Sequence, residues 1–189
     1  MTRALFLVGF GYLAISGLWV LKHRAPRGAH PSHPTAQVHY SSGQEWFASV
    51  KQYCNAVEAE LAQRNHPAPA TPEGQGYSAA CYALGGKIDL ARATLDRLPS
   101  GVRPAAANIV FNVAHPVADA GDDRSAGPIM ELVVSYIPEH YMALYHAGMS
   151  EYALDQPDLA RQHLESFLVY YRQNDGWTKN ARDVLARLR

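Results

Sequence analysis

The densest set of chemically capable side chains in this 189-residue chain is HPVADAGDDRSAG, His115 to Gly127. It places one histidine near three carboxylates, Asp119, Asp122 and Asp123. Imidazole and carboxylate together suit a divalent ion or acid–base chemistry. His115 and Asp119 are four apart, so an unbroken helix would put them on one face. Pro116 is expected to kink or end that helix. Asp122 and Asp123 also suit a plainer role, capping the next helix and opposing its dipole. The structural role is preferred. The alternative is a metal-binding protein or enzyme using these four residues. The chain has no Gly-rich phosphate loop, Gly-x-Ser-x-Gly elbow or His-Glu-x-x-His. No catalytic residue, metal site or cofactor is therefore expected.

Cys54 and Cys81 are the two cysteines. Two are too few for a disulfide-dense miniprotein, a four-cysteine zinc ribbon or a one-chain iron–sulfur cluster. They fall on consecutive helical segments joined by NHPAPATPEG. Packed antiparallel, those segments would bring the sulfurs to similar heights. Either a disulfide staples them or both are small buried thiols. His30, His33 and His39 lie in a proline-containing linker, residues 25–41, at spacings that match no standard ligand pattern. A solvated spacer is expected there.

Charge narrows the partners. Lys+Arg and Asp+Glu each number 17, and charged residues make up 18% of the chain. Arg3, Lys22, Arg24 and Arg27 face no acid within residues 1–29, so the rest of the chain is net acidic. A basic nucleic-acid surface is excluded. Residues 4–21, ALFLVGFGYLAISGLWVL, carry no charge. As a helix this run would be about 27 Å long, enough for a thin hydrocarbon core. The following KHRAPRG is a poor cleavage site. Residues 1–24 are therefore expected to be a single transmembrane anchor touching lipid. The basic flanks counted alone favour a cytoplasmic body, but the very short N-terminal tail favours export. A periplasmic or extracytoplasmic body is expected.

The rest reads all-α, with proline and glycine between helix-length segments. HYMALYHAGMSEYALDQPDLARQHLESFLVYY, His140 to Tyr171, stands out. Leu144, Ala147, Gly148, Tyr152 and Leu154 mark one helix, and Asp155 to Asp158 a turn. Ala160, Leu164, Phe167 and Leu168 mark the second helix. With Ala160 as a ruler, Ala126 and Ala91 recur at steps of 34 and 35. Gly86, Gly121 and Asp155 stand five residues before these alanines. Leu95, Met130 and Leu164 stand four after, and Leu98, Val133 and Phe167 seven after. The pattern resembles the tetratricopeptide repeat, a helix–turn–helix unit of about 34 residues. Three copies are expected over residues 72–174. A pre-repeat helix over 42–66 should bury Trp46, Phe47, Val50, Tyr53, Cys54, Val57 and Leu61. A capping helix is expected within 175–189.

The resemblance implies that the first helix of each repeat lines a concave groove. Its lining would be Asn108, Phe111, His115 and Asp119 in the middle copy. In the third it would be Met142, Tyr145, Met149 and Tyr152. In the first it would be Glu73, Gly76, Ala80 and Ala83. This surface is rich in aromatic rings and methionine, and lacks the basic clamp used for acidic peptide tails. It suits an apolar helix, a loop or a subunit surface. The implied function is a membrane-anchored scaffold or accessory subunit, with integral membrane proteins as partners, in a respiratory, photosynthetic or envelope-assembly complex.

Overall fold

Glycine and proline cut the chain into helices short enough to pair as hairpins. The computed structural model describes residues 39–188. Among these residues there are nine α-helices and no strand. They are α1 (Gly43–Val50), α2 (Ala59–Asn65), α3 (Pro72–Leu84), α4 (Ile88–Asp96), α5 (Arg103–Asp119), α6 (Asp123–Tyr136), α7 (Tyr141–Ala153), α8 (Pro157–Tyr170) and α9 (Gly176–Arg187). The arrangement is all-α and solenoid-like. The hairpins α3/α4, α5/α6 and α7/α8 stack in chain order.

Each hairpin turns at one residue in the left-handed region: Gly86 (φ 70°), Gly121 (φ 77°) and Asp155 (φ 59°). Glycine has no Cβ to clash there, and aspartate is among the few other residues that visit this region. Five residues on, Ala91, Ala126 and Ala160 are fully buried. A methyl group there lets the paired helices close, and Leu95, Met130 and Leu164 fill the next layer without exposure. Within the third hairpin the two helices approach closely at Gly148. A Cβ there would lie 2.7 Å from Leu164 Cγ on α8. Gly76 plays the same part between α3 and α5, where a Cβ would lie 2.9 Å from Ile109 Cδ1.

Pro116 does not end α5, contrary to expectation; the helix continues to Asp119. In the last turn a proline costs one hydrogen bond, that of the Asn112 carbonyl. Asn112 is an exposed residue. The expected continuous helix over 42–66 is also corrected. It divides into α1, a 3-10 turn at Lys51–Tyr53, and α2. The Asn55 side-chain oxygen accepts hydrogen bonds from the backbone N–H groups of Val57 and Glu58, both at 3.0 Å. That local turn competes with helix continuation. Trp46, Phe47, Val50 and Cys54 are buried, but Tyr53, Val57 and Leu61 point to solvent. The Trp46 indole N–H donates to the His66 carbonyl at 2.7 Å and ties α1 to the end of α2.

The single-pass membrane placement is corrected as well. Among the described residues no helix is long and apolar enough to cross a membrane. The apolar run 4–21 and most of the linker lie outside the described residues. The expected lipid contact and integral membrane partners rested on that run and have no support within residues 39–188.

Two further links hold neighbouring elements. Cys54 and Cys81 are joined as a disulfide, with Cα atoms 4.7 Å apart, fastening the chain after α1 to α3. The Tyr136 hydroxyl donates to Asp96 Oδ1 at 2.8 Å, connecting α6 to α4. Desolvation, and next the Asp96 hydrogen bond, push the Tyr136 hydroxyl up to about 12. Because the folded value is raised above the ordinary 10, this contribution is complete below pH 10. It is lost as pH rises toward 12.

Two measurements test these links. A disulfide closing a separation of 27 residues is worth about 3.5 kcal/mol by loop entropy. Cys54→Ser with Cys81→Ser should therefore lower the denaturant midpoint by that equivalent, and reductant should do the same to the wild type alone. Separately, the stability difference between wild type and Tyr136→Phe should shrink steadily from pH 10 to pH 12. A constant difference would deny Tyr136 its raised value.

Candidate binding site

The expected groove residues divide into two groups. On α5, Asn108 and Asp119 are exposed and His115 is half-buried, but Phe111 is buried. On α7, Met142, Met149 and Tyr152 are half-buried, whereas Tyr145 is only 6% exposed. The first copy contributes little lining: Gly76, Ala80 and Ala83 are buried between helices. Glu73 alone is exposed, and its carboxylate accepts the Gly43 N–H at 3.3 Å.

Tyr145 is buried because α9 folds back against the third hairpin. Asp175 caps α9, accepting hydrogen bonds from the N–H groups of Trp177 and Thr178 at 3.0 and 3.2 Å. The first turn then sets Trp177 edge-on to Tyr145, with ring centroids 4.7 Å apart. One turn later, Asn180 Nδ2 donates to the Tyr145 hydroxyl at 2.7 Å. Phe167 closes the other side at 5.1 Å. Tyr145 is thus a core residue of this end of the stack.

His115 and Asp119 do meet, since α5 continues through Pro116. The third member of their cluster is His146 of α7, which the spacing within 115–127 could not reveal. The Nε2 atoms of His115 and His146 are 3.1 Å apart. Asp119 Oδ1 lies 3.5 Å from the first and 3.7 Å from the second. His146 is 6% exposed. Desolvation, and next the neighbouring His115, bring it down to about 4, so its imidazole is neutral at pH 7. Asp122 and Asp123 stand apart from this cluster. Asp122 caps α6 by accepting the Ser125 N–H at 3.2 Å, and Asp123 accepts the Ser150 hydroxyl at 3.1 Å.

A run of rings extends from the cluster. Phe111 stacks on His115 at 4.8 Å and meets His140 at 4.1 Å. His140 Nδ1 accepts the Ala143 N–H at the start of α7, so Nε2 carries the proton and donates to Asn108 Oδ1 at 3.2 Å. Desolvation chiefly lowers the His140 pKa. Tyr141 follows, stacked on Tyr171 at 4.9 Å. Tyr141 (41%) and Trp177 (38%) are the most exposed rings of this run.

Residues 142–174 match the tetratricopeptide repeat family. No curated protein and no solved structure matches the chain. The matched repeat is the hairpin α7/α8, whose first helix carries His146, Tyr145 and Met149. Tetratricopeptide repeats generally mediate protein–protein contact and are generally non-enzymatic scaffolds. In this repeat Glu151 occupies a position where the family commonly has an aromatic ring. Its carboxylate is 1% exposed, and both oxygens lie 2.8 Å from His163 Nδ1 on α8. The buried Glu151 and half-buried His163 thus link α7 to α8.

The burial of Tyr145 can be measured. Tyr145→Phe keeps the packing and loses the Asn180 hydrogen bond, so it should cost about 1 kcal/mol. Tyr145→Ala should cost about 3–5 kcal/mol, as truncations of large buried rings do. Equal and small losses in chemical denaturation would mean that the ring is not a core element.

Proposed function

We propose that this protein is a scaffold or accessory subunit that docks a partner protein against the exposed rim of the third repeat and α9. The observation that carries the reading is the tetratricopeptide repeat at residues 142–174, with Tyr141 and Trp177 exposed beside it. Aromatic rings are enriched at protein interfaces because they bury a large area at low entropic cost. Met142, Met149 and Tyr152 are half-buried and add adaptable apolar contact around these rings. The occupant suited to this rim is an apolar helix or loop of a partner subunit.

The test uses the partner that co-purifies from native source. Tyr141→Ala with Trp177→Ala should weaken its binding by roughly 30-fold or more, the scale of a hot-spot loss of 2 kcal/mol. Because Trp177 also packs on Tyr145, binding is compared at a temperature where the melting transition shows the variant to be folded. Leu159→Ala with Val169→Ala removes exposed apolar side chains of α8 and should leave binding intact. If the α8 variant releases the partner and the rim variant does not, the rim is not the docking surface.

A further inference from the structure

We propose that His115, Asp119 and His146 form a binding site for one divalent transition-metal ion of the zinc class, bridging α5 and α7. The argument is geometric. The three candidate ligand atoms lie within 4.8 Å of one another. A tetrahedral ion with bonds of about 2.0–2.1 Å holds its ligand atoms about 3.3–3.4 Å apart. The observed separations of 3.1, 3.5 and 3.7 Å bracket that value. The 3.1 Å contact between the two imidazoles is also within hydrogen-bond range, but the two contacts of the carboxylate are not. At 3.5 and 3.7 Å the carboxylate is beyond the usual N–H···O range of about 2.7–3.2 Å. Asp119 thus approaches both imidazoles without a good hydrogen bond to either, as ligands do around a shared centre.

The donor chemistry agrees. Two imidazoles and one carboxylate are a ligand set for zinc-like ions, and the set leaves a fourth position open. His146 supplies the buried member of the set. Asp119 is the exposed one, its side chain 52% accessible, and gives an ion a route from solvent. The ligands also come from separate hairpins. His115 and Asp119 lie on the last turn of α5, and His146 lies near the middle of α7. An ion held there would cross-link the second hairpin to the third.

The experiment titrates the full chain with Co²⁺, follows the visible ligand-field bands, and then adds Zn²⁺ as competitor. Thermal unfolding is recorded with and without Zn²⁺. The wild type should take up one equivalent with tetrahedral bands that Zn²⁺ abolishes, and Zn²⁺ should raise its melting temperature. Asp119→Asn and His115→Gln each remove a ligand from an accessible position. Each should weaken uptake at least about 10-fold, the smallest loss typical even for groups that only support a ligand, and should remove the Zn²⁺-induced thermal shift. Absence of saturable uptake in the wild type overturns the site. So does a loss smaller than about 10-fold in either folded variant, which would assign binding to other histidines. Because the readout needs no partner protein, it is independent of the docking reading.

Discussion

The fold depends on one recurring backbone constraint, a left-handed residue at each hairpin turn. Gly86, Gly121 and Asp155 reverse the chain within a few residues. The second helix must then start at a fixed offset from the first, so the alanine five residues later always meets the facing helix. Regular offsets make regular contacts. Ala91, Ala126 and Ala160 are all fully buried, and the next layer is filled by Leu95, Met130 and Leu164, which are of similar size. The same regularity sets α5 and α7 beside each other at matched heights. This brings His146 opposite His115, although 31 residues separate them.

Much of this was legible in the sequence because it repeats. The three turn residues, the three small residues and the two large layers recur every 34 or 35 positions. His146 could have been found by the same ruler. It stands one repeat less one helical turn beyond His115, the offset expected of side chains on neighbouring, staggered helices. Local spacing alone misses it, because nothing within 115–127 points to α7. Pro116 misleads for a different reason. A proline frees one i−4 carbonyl and crowds it, and here that carbonyl belongs to Asn112, an exposed residue, so the helix runs on to Asp119.

Burial was harder to read than periodicity. Tyr145 has the register of a groove residue, but α9 returns against it and supplies Trp177 and Asn180 as neighbours. A helical stripe cannot say which later segment will cover it. The break after α1 was likewise hidden. Val57 and Leu61 continue an apolar stripe that would be satisfied by one long helix. Asn55 instead caps a new turn, and the disulfide at Cys54 holds the preceding strandless segment to α3. In both places a specific polar or covalent contact prevails over the average preference expressed by the pattern.

The disulfide and the rings around α9 give the two ends of the stack different kinds of attachment. At one end a covalent bond keeps the chain after α1 beside α3 even when packing loosens. At the other, α9 is held by noncovalent contacts to Tyr145 and by its own cap. Stacked hairpins touch mainly their neighbours, so such arrays open from their ends. The opening here is polarised. By this reasoning the amide protons of α9 are expected to exchange through local opening, and those of α3 through wider unfolding. That excursion uncovers Tyr145 and loosens the surroundings of His146 first. Trp177 of α9 packs against both Tyr145 and His146, so any partner or ion that engages this region also bears on how tightly that end is closed.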